Sequence, residues 1–496
     1  MKYVSTRSQE RKVDAAQAIV AGLSREGGLY VPQSFPEFSK DKINAMANLS
    51  YAQRAKQVLS AYLTDYTDEE LQTCVDEAYA HGRFVGECAP VKQVQDMYMM
   101  ELWHGPTHAF KDMALQMLPR LMTRAMKKTG VDKKVFILVA TSGDTGKAAL
   151  EGFCDVEGTN VGVFFPVDGV SPAQKLQMVT QEGGNVHVCA VEGNFDDAQT
   201  GVKRIFGDTE FAKELAEKGY VLSSANSINW GRLVPQVAYY FSAYADLLAS
   251  GAIKMGDEVN YCVPTGNFGN ILAAYYAKCM GLPVGKLVCA SNANNVLFDF
   301  IEQGVYDANR PFYKTTSPSM DILVSSNLER LLFELCGRDC EKVTEWMTAL
   351  KTNGEYTVDA ASHARLIENF AAGWADNERA IETIRKVKDA CGYTMDTHTA
   401  VAWTVAEEYR AKTGDMRPMV VVSTASPYKF GRSVLSALLG DEEVAKLDEF
   451  ACADKLEEVS GLEMPATLRE LRVKAQLHKD VVKPMAMIDE VRTWAK

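Results

Sequence analysis

Val135-Phe-Ile-Leu-Val-Ala140 is a run of apolar side chains with no polar alternation, and it constrains the fold more than any other feature. A strand apolar on both faces must be covered on both faces, as in a parallel sheet packed between helices. The same unit recurs. Thr141-Ser-Gly-Asp-Thr-Gly146 turns the chain into a helical segment from Lys147 to Phe153, and Val161-Gly-Val-Phe-Phe165 is the next strand. Ser171-Pro172 opens a helix, with Ser as N-cap and Pro at the first helical position. Val186 to Val191 is another strand, followed by a helix from Asp196 to Phe206. A second series begins at Glu258 to Val263, with a helix from Ile271 to Met280, and continues in the strands Lys286 to Ala290 and Pro418 to Val422. The intervening stretch 292–415 reads as mostly helical, as in Leu328 to Leu335 and Thr399 to Lys412. Strand–helix alternation of this kind predicts parallel sheets covered by helices.

Residues 1–84 lack that alternation. They carry helix-like stretches, Ile43 to Leu59 and Asp68 to Tyr79, and a turn-rich piece from Leu23 to Pro32. A chain of 496 residues exceeds what one core usually organises, so two α/β domains plus a helical N-terminal domain are expected.

Charge and cysteine usage narrow the function. The net charge of -12 and the absence of a clustered basic run argue against a nucleic-acid partner. Eleven cysteines, an odd number, are scattered without a Cys-x-x-Cys pair. That usage fits reduced thiols in a cytoplasmic protein. No apolar stretch approaches a membrane span, residues 1–20 show no signal-peptide pattern, and no N-terminal regulatory extension is expected.

Several loops carry chemistry. Lys111 lies in His104-Gly-Pro-Thr-His-Ala-Phe-Lys111-Asp, at the start of an apolar-periodic segment. The positive end of a helix disfavours its ammonium form, and a free amine there could form a Schiff base; a solvated surface lysine is the alternative. Pro264-Thr-Gly266-Asn267-Phe268-Gly269-Asn270 lies between a strand and a helix and reads either as a phosphate cradle or as a plain turn. It matches neither the dinucleotide fingerprint nor the Walker loop. Thr141, Ser142, Gly143, Asp144 and Thr145 precede another helix and suit a carboxylate or phosphate. Lys147 gives this loop a superficial P-loop look, but the glycine spacing is wrong for a nucleotide hydrolase. Asn226, Ser227, Asn229 and Arg232 form a second anion-competent cluster, or a capping and turn cluster. His104 and His108 are four apart, but Gly105 and Pro106 oppose a helix between them and no further ligand completes a metal set, so no metal is expected.

Taken together, these motifs resemble the threonine synthases, pyridoxal-phosphate enzymes of the tryptophan-synthase-like fold (fold type II), and most of all their longer bacterial and fungal branch. The likeness runs nearly end to end. It includes Tyr3-Val-Ser-Thr-Arg7, Gly27-Gly-Leu-Tyr-Val-Pro32, Gly105 to Asp112, Thr141 to Gly146, Ala225 to Arg232, Pro264 to Asn270, Ser317 to Ile322, Ser326 to Arg330 and Asp396 to Ala400. One segment departs from the pattern. Ser423-Thr-Ala-Ser426-Pro-Tyr428-Lys-Phe430 keeps Thr424 but has Ser426 and Tyr428 where the family often has histidine and alanine.

The resemblance implies a fold, domains and site roles. The fold is α/β, with two doubly wound domains of the fold type II kind and a mainly helical N-terminal domain. Residues 1–84 would be the N-terminal domain, 85–130 with 246–496 the large cofactor-binding domain, and 131–245 the small domain. Lys111 would be the Schiff-base lysine. Gly266, Asn267, Phe268, Gly269 and Asn270 would hold the cofactor phosphate, and Thr424 would lie near the pyridine nitrogen. Thr141 to Thr145 would bind the substrate carboxylate, and Asn226, Ser227, Asn229 and Arg232 the substrate phosphate.

The implied reaction is that of a carbon–oxygen lyase in threonine biosynthesis. O-Phospho-L-homoserine and water give L-threonine and phosphate, by γ-elimination and β-addition of water, with Lys111 as the general base. A related phospho-lyase giving 2-oxobutyrate and a non-catalytic cofactor binder are the alternatives. The expected partner is the small-molecule substrate, with no nucleic acid and no membrane, for a monomer or small homo-oligomer.

Overall fold

The structure, a computed structural model, describes residues 1–80, 82–141, 143–167 and 170–495. In chain order its strands are β1 (Tyr3–Ser5), β2 (Ser8–Val13), β3 (Tyr30–Pro32), β4 (Val91–Val94), β5 (Met97–Glu101), β6 (Lys134–Ala140), β7 (Thr159–Pro166), β8 (Val186–Val191) and β9 (Tyr220–Ser223). They continue as β10 (Val259–Pro264), β11 (Val284–Ser291), β12 (Val305–Asp307), β13 (Glu355–Thr357), β14 (Phe370–Trp374), β15 (Met419–Ser423) and β16 (Val481–Val482).

Two larger sheets organise the molecule. One has the order β14-β11-β10-β15-β5-β4 and is parallel except for the antiparallel edge strand β4. The other has the order β16-β8-β7-β6-β9 and is parallel throughout. Every residue of β10 and of β15 is buried, as apolar runs without alternation require of central parallel strands.

The N-terminal stretch is mainly helical, with helices Tyr51–Tyr62 and Asp68–Tyr79 beside the small sheet β2-β1-β3. It packs on the rest of the chain through aromatic rings: Trp230 lies against Tyr3 and Tyr62, with centroids 5.2 and 5.4 Å away.

The structure corrects three local expectations. The helical pattern from Ile43 to Leu59 is two helices, because Ser50 and Gln53 form a capping box that starts a new one. The mostly helical stretch 292–415 also supplies β14, an edge strand whose short Phe-Ala-Ala-Gly-Trp run carries little strand signal. The C-terminal residues Val481 and Val482, expected with the larger body, pair with β8 of the five-stranded sheet. Among the described residues, no helix is long and apolar enough to cross a membrane.

Candidate active site

Parallel sheets place their loops at the carboxyl ends of the strands, where ligands bind in α/β folds. The sequence motifs occupy such positions. Residues 141–146 follow β6, the 223–232 cluster follows β9, 264–270 follows β10, and Thr424 follows β15. β6 neighbours β9, and β10 neighbours β15, so the four loops arise as two adjacent pairs.

Lys111 is the first residue of the short helix Lys111–Leu115. Its Nζ lies 3.7 Å from Asp144 Oδ2, across from the other sheet. Burial, above all, lowers the pKa of its ammonium group; Asp144 opposes that shift, and Lys429 and Arg232 add to it. Burial, more than the end of so short a helix, is what favours the free amine. Thr424 is brought beside Lys111 by the main chain. Phe110 N–H donates to Thr424 O at 2.8 Å, and Ala109 bridges Ala425.

Gly266 to Asn270 form the turn into the helix Gly269–Cys279. A Cβ on Gly266 would meet Ser319 O at 2.9 Å, so only glycine fits. Phe268 holds a left-handed φ of 63°, a conformation that non-glycine residues keep only where the surroundings enforce it. The first N–H groups of the following helix have no intrahelical acceptor and suit a phosphate. Asn270 Oδ1 accepts from Tyr239 and Tyr240 hydroxyls at 2.8 and 2.6 Å, while its buried Nδ2 has no partner. A glycine cradle, an orphaned amide and a buried amine with a depressed pKa fit a phosphorylated aldehyde cofactor.

The other predicted residues divide. Arg232 is buried; its Nη1 donates to Ala225 O at 2.5 Å and its Nε has no partner. Burial lowers its pKa to about 10, which leaves it a cation without a carboxylate bonded to it. Such a group is poised for an anion. Ser227 accepts from Asn327 Nδ2 at 3.2 Å, and Asn226 is exposed at the loop surface. The Asn229 side chain is committed elsewhere: it caps Gly231 N–H at 2.8 Å and donates to Ile19 O at 2.9 Å.

In the 141–145 loop, Thr141 Oγ1 accepts from the N–H groups of Gly143 and Gly146, both at 3.0 Å, and so shapes the turn. Gly143 has a φ of 142°, and a Cβ there would lie 2.6 Å from Gln174. Thr145 is half-buried, and Ser142 lies outside the described residues. Asp144 is buried. Burial alone would raise its pKa, but the Lys429 and Lys111 ammonium groups and the Ser319 hydroxyl hold it well below the usual range.

Residues without a role assigned from sequence complete the site. Asn327 N–H donates to Asn267 O at 3.0 Å, and Ser326 Oγ to Asn267 Oδ1 at 3.2 Å. Buried Arg330 donates to Ile228 O at 2.6 Å, to Tyr30 O at 3.0 Å and to Asn327 Oδ1. This segment therefore ties the 226–232 cluster to the 266–270 loop. Its only sequence signal is the Ser326-Asn-Leu-Glu-Arg330 motif, which lies 59 residues from Asn267 and 102 from Ile228. At the two departures, Ser426 Oγ accepts from Tyr428 N–H at 3.4 Å, and Tyr428 OH donates to Leu462 O.

Comparison with known proteins gives the family. Family profiles described as threonine synthase N terminus, pyridoxal-phosphate dependent enzyme and threonine synthase, C-terminal match residues 2–79, 91–425 and 399–482. The chain is 40% identical to human threonine synthase-like 1 over 88% of its own length, and it spans about 60% of that protein. It is 39% identical to threonine synthase of Pseudomonas aeruginosa, covering 89% of this chain and 91% of the relative. A crystal structure of PLP-bound threonine synthase from Brucella melitensis superposes with a TM-score of 0.89 at 38% identity, over 100% of both chains. The chain belongs to the threonine synthase family of pyridoxal-phosphate dependent enzymes.

Proposed function

We propose that the chain converts O-phospho-L-homoserine and water to L-threonine and inorganic phosphate, with pyridoxal phosphate bound to Lys111. The observation that carries this reading is the pair of separate anion-competent places around one buried amine. One is the 266–270 cradle and the other is Arg232 with its orphaned Nε. A phosphorylated cofactor and a phosphorylated substrate together need two.

The cofactor, when bound, supplies an electron sink that stabilises a carbanion next to the substrate amine. The chain supplies everything else. Gly266 to Asn270 would hold the cofactor phosphate, and Thr424 would offer a neutral hydroxyl to the ring. Lys111, whose hold on its extra proton burial weakens, would take the proton from Cα and serve again at Cβ. Arg232 and Ser227 hold the phosphate that leaves from Cγ. Thr141 sets the 141–145 turn that meets the substrate carboxylate, with the half-buried Thr145 as its donor. Shielding by the loops of both sheets would limit the water that reaches Cβ.

The eleven unpaired cysteines support a reducing compartment, the cytoplasm. Borohydride reduction and peptide mapping of the cofactor-loaded protein test the assignment of the lysine. Label on the Lys111 peptide is expected; label on another lysine would sink it.

A further inference from the structure

We propose that Lys429 is a positioning residue for Lys111, acting through the carboxylate of Asp144. Lys429 follows β15, and its side chain is 2% exposed. An ammonium group has three donors, and three acceptors surround this one. They are Thr107 O at 3.1 Å, Asp144 Oδ1 at 3.3 Å and Gln177 Oε1 at 3.4 Å. Two hydrogen bonds and one ion contact hold this buried cation in place.

Asp144 is locked in turn. Its Oδ1 accepts from Gln174 Nε2 at 2.9 Å and meets Lys429; its Oδ2 accepts from Ser319 Oγ at 2.9 Å. Ser319 is itself fixed, since its N–H donates to His398 Nε2 at 3.1 Å and His398 Nδ1 pairs with Asp396 at 2.8 Å. Lys111, at 3.7 Å, is the loosest partner of the carboxylate.

The asymmetry has a chemical use. A buried carboxylate that lost its only cation would be stranded at a cost of several kcal/mol. With Lys429 in place, Lys111 can lose its charge, bond to the cofactor and return without stranding Asp144. The charged groups acting on Lys111 are Asp144, Lys429 and Arg232; Asp112, on its own helix, faces Thr107. The arrangement gives a role to Ser317–Ile322, Asp396–Ala400 and the lysine of the 423–430 segment, which the reaction outlined above leaves unused.

The inference rests on Lys111 as the cofactor-bearing lysine. Its test reads the amine directly, as the pH midpoint of Lys111 acetylation in the cofactor-free chain, followed by peptide mass spectrometry. Lys429→Met removes a cation and turns Asp144 toward Lys111, so the midpoint rises by about one unit, a tenfold fall in labelling below it. In the loaded enzyme the same variant lowers kcat more than it changes KM. An unmoved midpoint overturns the proposal, and so does a full-sized shift in an Asp144→Asn background, which would mean that Lys429 acts on Lys111 directly. If Lys429→Met does not fold, Lys429→Gln, which keeps a donor for Thr107 O, replaces it; failure of both to fold makes Lys429 a folding residue and overturns the proposal too. A wild-type chain that carries the cofactor on another lysine defeats the earlier assignment and leaves the labelling result intact.

Discussion

Lys111 lies beyond β5 of the six-stranded sheet and Asp144 beyond β6 of the five-stranded sheet, yet their charged groups stand 3.7 Å apart. Asp144 is also the point where Ser319, Gln174 and Lys429 converge. Replacing it by asparagine leaves two buried ammonium groups without their counter-ion. We expect Asp144→Asn to lose about 3 kcal/mol of stability, measured by urea unfolding of the cofactor-free chain. A loss below measurement error would mean that these ion contacts contribute nothing to stability.

Arg232 behaves in the opposite way. It is a buried cation with an orphaned Nε, a costly arrangement in the absence of an anion. Arg232→Met should leave stability unchanged or raise it, while kcat/KM falls by about 10- to 100-fold, the worth of a charged hydrogen bond. Steady-state kinetics beside a thermal melt decides the matter. Equal losses of stability and activity would make Arg232 a packing residue.

Arg330 is a different kind of arginine, since its hydrogen bonds are structural: it holds the carbonyls of Tyr30 and Ile228 and the amide oxygen of Asn327. Arg330→Met leaves those acceptors buried and unpaired. Its expected cost is about 2–4 kcal/mol, seen as a lower urea midpoint, together with weaker cofactor retention because Asn327 also holds the 266–270 loop. Undiminished retention in dialysis would separate the two effects and contradict the tie.

The parallel sheets and their order along the chain were legible because β6, β8, β10 and β15 are apolar runs flanked by turn residues. Lys111 and the two glycine-bearing loops could be singled out because Lys111 lies a few residues behind a Gly-Pro turn and each loop carries its glycines at a strand-to-helix turn. What could not be read is what depends on distant partners. Lys429 looks like any lysine until Thr107 and Gln177 close around it. Asn229 has the composition of a ligand, but Ile19, more than 200 residues away, takes its amide. Asp144 sits in an anion loop by sequence, and only its burial beside two lysines shows that its charge is already matched. β14 was lost because alanine and glycine occupy an edge strand.

His108 gives a pH dependence. Burial, then the nearby Lys429, Lys147 and His104, lower its pKa to about 3. An unfolded histidine protonates near pH 6.5 and the folded one does not. Stability is therefore full above about pH 6.5 and is lost as pH falls towards 3, by up to about 4 kcal/mol. His108 has a φ of 60°, which asparagine tolerates. Urea midpoints from pH 7 to pH 4 should fall less steeply in His108→Asn than in the wild type; parallel profiles would assign the acid sensitivity to other groups.

The most direct test is the product of the purified, cofactor-loaded chain given O-phospho-L-homoserine. L-threonine and phosphate are expected in equal amounts, with both lost in a folded Lys111→Ala variant. Phosphate accompanied by 2-oxobutyrate in place of threonine, or turnover that survives Lys111→Ala, would contradict the proposed function.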